Sequence, residues 1–154
     1  MALNFTNPFI NRNCEIVSYS VIVAEADSTD EKLNTEINET WYTAYRQHPS
    51  PPYAAIYKCE QLFETDRTCN SIYSTKGFRW KRSVSQSTAT IVIGEDTSCD
   101  SAKIAHDIYC NGPLKQKTKY RIFIRAYNEE SEFTDAKSAI IQTGRIFLLV
   151  YSSS

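Results

Sequence analysis

Hydrophobic and polar positions alternate most clearly in two stretches of the chain. In "EIVSYSVIVAEAD" (15–27), Val17, Tyr19, Val21 and Val23 fall on one face and Ser18, Ser20 and Ile22 on the other, the two-residue period of a half-buried β-strand. In "KYRIFIRAYN", Tyr120, Ile122, Ile124 and Ala126 alternate with Arg121, Phe123 and Arg125, which predicts a second strand of the same kind. A shorter run, Thr88 to Ile93, ends at Gly94 and polar residues, and a last one, about Ala136 to Thr143, follows a polar turn at Asn128 to Ser131. Helical periodicity is weak, amounting to a turn around Asp30 to Thr40. The pattern predicts an all-β chain without internal repeats.

From Ser28 to about Gln86 neither period is sustained, and charge is segregated instead. Residues 27–66 carry eight acids against three bases, whereas residues 67–86 carry five bases and no acid. This stretch, about 28–87, reads as an insertion and not as a second core.

The 154 residues suit one domain. A net charge of −1 and a pI near 6.1 give no electrostatic case for nucleic acid or an anionic membrane surface. Five Cys against one Met, with Asn-X-Thr triplets at Asn4 and Asn38, point to an oxidising, extracellular setting and make those two asparagines glycosylation candidates.

Cys59 and Cys69 lie ten apart and Cys99 and Cys110 eleven apart, spacings that suit two local disulfides, each worth about 2–3 kcal/mol. Four cysteines still allow three connectivities. Cys14 is left over: free, paired outside this chain, or displacing one of the assumed partners. His48 and His106 have no neighbours at metal-ligand spacing, so neither a metal nor a cofactor is expected.

The segment "GPLKQKTKYRIFIRAYN" has Leu114 to plug a core, a turn, Thr118, and Tyr120 opening a strand. This resembles the corner and F strand of a fibronectin type III domain, in which a Tyr hydroxyl bonds back to the upstream backbone. "EIVSYSVIVAEAD" is similar to its C strand and "FTDAKSAIIQT", ending at Thr143, to its G strand. The whole succession, with "PPY" inside the insertion and then "TIVIGEDTSCD", resembles the membrane-proximal fibronectin-type region of receptor-type protein tyrosine phosphatases.

The resemblance implies an immunoglobulin-like β-sandwich over residues 15–143. Residues 1–14 would be a stub of the preceding strand, so that strand A and most of strand B are missing, and residues 144–154 would be a tail. It also implies an extracellular, single-pass parent receptor in which this module is spacer and adhesion or ligand surface. The rival reading is a secreted or adhesion-receptor binding module unrelated to phosphatases.

Phosphotyrosine hydrolysis needs a low-pKa Cys in a phosphate-cradling loop with an Arg, which the family writes as His-Cys, five residues, Arg. No Cys here follows a His, and none has an Arg six positions on. The chain is therefore expected not to be an enzyme.

One local feature offers a binding site. In "KGFRWKRS", Lys76, Arg79, Lys81 and Arg82 surround Phe78 and Trp80. Arg and aromatic residues dominate interface hot spots, so this cluster fits an acidic protein surface or a sulfated glycan. The alternative, which carries more weight, is a solvated strand or loop whose Phe78 and Trp80 pack on the sandwich. The Tyr-rich "WYTAYRQHPSPPYAAIY" reads as a proline-stiffened edge of the insertion lying over the sandwich.

Both ends read as cut. "MALNFTNPFINRN" lacks the basic and apolar regions of a signal peptide. The apolar run of six from Ile146 to Tyr151 is short of the roughly 20 residues of a span. Membrane attachment is thus expected only through a span outside this chain.

Overall fold

The two strongly alternating segments pair with each other in the computed structural model, which describes residues 1–7, 9, 15–28, 30–60, 62–63, 69, 88–101, 107–137 and 140–144. The strands are β1 (Ala2–Thr6), β2 (Ser18–Glu25), β3 (Tyr53–Cys59), β4 (Thr88–Val92), β5 (Lys119–Tyr127), β6 (Phe133–Lys137) and β7 (Ile141–Gln142). A 3-10 turn, Asp30–Asn34, and a short helix α1, Trp41–Tyr45, lie between β2 and β3.

β1 and β4 form a two-stranded antiparallel sheet in register from Ala2 opposite Val92 to Thr6 opposite Thr88. The larger sheet runs β3-β2-β5-β6, with β7 also on β5. β2 lies along the length of β5, from Ser18 opposite Tyr127 to Glu25 opposite Tyr120. The inner faces make one core: Leu3 and Phe5 from β1, Ala89 and Ile91 from β4, Val21 and Val23 from β2, and Tyr120, Ile122, Ile124 and Ala126 from β5. The protein is an all-β sandwich of two sheets with little helix.

Residues 2–6, expected to be a stub, are a strand whose burial alternates and whose Leu3 and Phe5 enter the core. The smaller sheet thus draws its second strand, β1, from the stretch read as a stub of the preceding strand. The last predicted strand is split, starting earlier at Phe133 in β6 and resuming as β7.

β2 is not half-buried. Ser18, Ser20, Ile22 and Ala24 on its outer face are as buried as Val21 and Val23 on its inner face. The cover comes from the stretch read as an insertion. Leu33 and Ile37 pack on Ile22, Ala24, Ala54 and Phe123, with Tyr57 and Tyr109 alongside, each buried aliphatic side chain contributing about 1.5–3 kcal/mol. From the same stretch, β3 joins the sheet while Trp41, Ala44, Leu62 and Phe63 fill the main core. The insertion is thus partly wall and partly core.

β3 shows no alternation because most of it is buried on both faces. Its pairing with β2 shifts register between Tyr19 and Ile22, and Lys58 takes a positive φ of 44°. Such an irregularity takes a backbone donor out of the ladder. Here Ser20 Oγ, itself fully buried, accepts from the Lys58 N–H at 2.9 Å.

Candidate functional site

The corner before β5 gathers residues from four parts of the chain. Tyr120 Oη accepts from the Lys115 N–H at 3.0 Å, holding the turn against the start of its own strand. Burial pushes the Tyr120 hydroxyl up to about 12, against the lowering effect of that hydrogen bond. Thr143 Oγ1 donates to the Lys115 carbonyl at 2.6 Å and accepts from the Thr118 N–H at 3.0 Å. Leu114 packs on the core. It also lies beside Gly94, whose φ of 78° suits glycine.

Trp41 closes the corner from the side. Its indole N–H donates to the Pro113 carbonyl at 2.9 Å, and its ring stacks on Tyr45 at 4.7 Å between centroids. Gly112 lies so close that an added Cβ would stand 2.3 Å from the indole. Asn111 ties the same loop to β4: its Oδ1 accepts from the Gly94 N–H at 2.8 Å and its Nδ2 donates to the Val92 carbonyl at 2.7 Å.

Beneath the corner, Lys115 Nζ donates to Glu25 Oε1 at 2.6 Å and to the Gln47 carbonyl at 2.6 Å. Both side chains are about nine-tenths buried. Burial would raise the Glu25 pKa, but hydrogen bonds from Lys115 and Ser50, with the Lys115 charge, outweigh it and hold the carboxyl below its ordinary value.

These contacts are architectural. A groove of about 620 Å³ runs between Ala2, Gly94, Leu114 and Gln142–Gly144, and none of its lining side chains titrates. Asp96, Cys99 and Cys110 bring potential metal-ligand atoms within 4.8 Å of one another. Both sulfurs are committed to the Cys99–Cys110 disulfide, and a metal needs the thiolate.

Among the described residues, the outer layer carries a polar network centred on Glu36 and Arg125. Tyr57 stacks on Tyr109 at 4.1 Å, and the hydroxyls of Tyr57 and Tyr127 both donate to Glu36 Oε1 at 3.2 Å. Burial pushes the Tyr127 hydroxyl up to about 12. Arg125 is fully buried, pairs with Asp135, and donates to the carbonyls of Thr35 and Leu33. Sequence alternation put Arg125 on the outer face; nothing local signalled that 30–40 would cover it, or that Asp135 would be its partner.

Of the sites read from sequence, Cys59 bonds to Cys69 and Cys99 to Cys110, with Cα separations of 5.6 and 5.8 Å. Asn4 and Asn38 are both exposed. The basic cluster of Lys76, Phe78, Arg79, Trp80, Lys81 and Arg82 lies outside the described residues, as do Cys14 and His106. The residues that sequence reasoning missed are Trp41, Asn111, and the pairs Glu25–Lys115 and Arg125–Asp135. The intervals between the paired residues carry no local period.

A family model described as "TM proximal of protein tyrosine phosphatase, receptor type J" matches residues 5–145. No solved structure matches the chain.

Proposed function

The chain belongs to the family of the membrane-proximal region of receptor-type protein tyrosine phosphatase J, and from that premise we propose that it is a non-catalytic spacer that also presents a ligand surface outside the cell. The single observation that carries this reading is the match over residues 5–145, which takes in nearly all of a two-sheet sandwich. Two disulfides fit the oxidising exterior. Membership sets aside the rival reading of a module unrelated to phosphatases.

On this reading the sheets follow the fibronectin type III plan, with β1 and β4 as strands B and E, β2 and β3 as C and C′, β5 as F, and β6 with β7 as G. A rigid sandwich would set the height of the parent receptor above the membrane. The basic cluster from Lys76 to Arg82 is our candidate place for an acidic protein or sulfated glycan, because its sequence joins basic to aromatic residues. Among the described residues no helix is long and apolar enough to cross a membrane.

The test is made in the full receptor, with residues 5–145 replaced by a flexible Gly/Ser linker. Turnover of a soluble phosphotyrosyl peptide should be unchanged, while binding of the ectodomain to cells should fall. Undiminished cell binding would overturn the ligand surface. Hydrolysis of the peptide by this chain alone would overturn the non-catalytic reading.

A further inference from the structure

We propose that Asn4 and Asn38 both carry N-linked glycan, one on each outer layer of the sandwich, so that both broad faces are sugar-covered. The inference rests on the extracellular reading above. In Asn4-Phe5-Thr6 the strand alternation buries Phe5 and leaves Asn4 and Thr6 exposed on the same face. Across the ladder Asn4 stands opposite Thr90, whose Oγ1 donates to Asn4 Oδ1 at 2.6 Å. Nδ2 is the atom that accepts the sugar. The amide carbonyl persists in the glycosylated side chain, so this cross-strand bond survives modification and orients the attachment.

The face around Asn4 is suited to sugar. Thr6, Thr88 and Thr90 surround it, all exposed, small and uncharged. At these positions the outer face of the two-stranded sheet is exposed and neutral, and a glycan on Asn4 covers it.

Asn38 belongs to the other layer. Ile37, its neighbour, is packed on the outer face of the larger sheet, while Asn38 itself is exposed. Thr40 is buried, and its Oγ1 lies 3.4 Å from Thr43 Oγ1. The triplet is therefore legible to a transferase before folding, and the finished glycan stands clear of the fold afterwards. In the transfer, Asn Nδ2 attacks C1 of a lipid-linked oligosaccharide diphosphate. The N–C1 bond forms, the C1–O bond breaks, the lipid diphosphate leaves and the amide loses one proton, with no net oxidation. Glycans at these two positions leave the edges and ends of the sandwich for protein contact.

The experiment expresses the full chain behind a secretion leader in a eukaryotic secretory host. It compares wild type with Thr6→Ala, Thr6→Ser, Asn38→Gln and the Thr6→Ala/Asn38→Gln double variant, before and after a peptide N-glycosidase in heavy-oxygen water. Wild type and Thr6→Ser should lose two glycan steps, the Thr6→Ala and Asn38→Gln single variants one each, and the double variant none. Heavy oxygen should appear at Asn4 and Asn38. Thr6 is exposed, so its substitution tests the triplet without disturbing the core. Modification at only one position overturns the two-layer proposal. No glycan on a secreted chain whose five Cys leave a single reactive thiol overturns the glycans but keeps the extracellular reading. No glycan together with unpaired Cys59, Cys69, Cys99 and Cys110 overturns both.

Discussion

Arg125 on β5 and Asp135 on β6 are cross-strand partners, and both carboxylate oxygens accept from the buried guanidinium, at 2.7 and 2.8 Å. Nη1 and Nη2 also donate to the carbonyls of Thr35 and Leu33. One side chain thereby joins two strands to the segment that covers them. Burial would lower the Arg125 pKa, but the hydrogen bond and charge of Asp135 outweigh it and raise the value. Removing one member of a buried pair strands the other charge.

Asp135→Ala should therefore destabilise the chain by about 3–5 kcal/mol, read as a lower denaturant midpoint. Asp135→Asn, which keeps an acceptor, should lose less. A loss below about 1 kcal/mol, the range of an exposed pair, would mean that Leu33 and Ile37 hold the outer layer without the Arg125 clamp.

Gly112→Ala should cost about 1–3 kcal/mol by overpacking. Its Cβ would stand 2.3 Å from the Trp41 ring, and Trp41 is pinned by its bond to the Pro113 carbonyl. Equilibrium unfolding of the variant checks this. An unchanged midpoint would show that the indole can shift without penalty.

Tyr120→Phe keeps the ring and removes the acceptor of the Lys115 N–H. The expected loss is about 1 kcal/mol, since the donor is only partly buried and water can replace part of the bond. Protection of the Lys115 amide against hydrogen exchange should fall more than protection across β2. Equal protection in both forms would remove the corner bond from the account.

The carboxyl of Glu25 titrates below its ordinary value of 4.5 in the folded chain. Between the folded and unfolded values the unfolded chain binds more protons, so stability rises with pH there. The contribution is fully present above 4.5 and is lost as pH falls through the folded value. Denaturant midpoints from about pH 7 to about pH 3 should fall in wild type and fall less in Glu25→Gln. Parallel curves would rule out the Lys115–Glu25 pair as a source of acid sensitivity.

The parts of the fold legible in the sequence are those with local causes. β2 and β5 announce themselves by alternation, and Tyr120 after a Gly-Pro turn announces the corner. The spacings of Cys59 and Cys69 and of Cys99 and Cys110 announce short loops, which the disulfides close. β3 was illegible because a strand covered on both sides has no polar phase to read. Trp41 was illegible because one aromatic residue on a five-residue helix has no period at all.

By itself the sequence determined that this chain is all-β, that its cysteine content and spacing suit an oxidising exterior, and that it lacks the His-Cys-x5-Arg signature of tyrosine phosphatase chemistry. Each of these follows from residue type and short spacing. Only the tertiary structure decided that residues 30–63 are wall and core, that Arg125 is buried, and that Asn4 and Asn38 lie on opposite layers. Those outcomes depend on which distant segment covers which face. Alternation reports that a face exists; what packs on it is set by contacts between residues up to about ninety positions apart, such as Arg125 with Leu33 and Thr35.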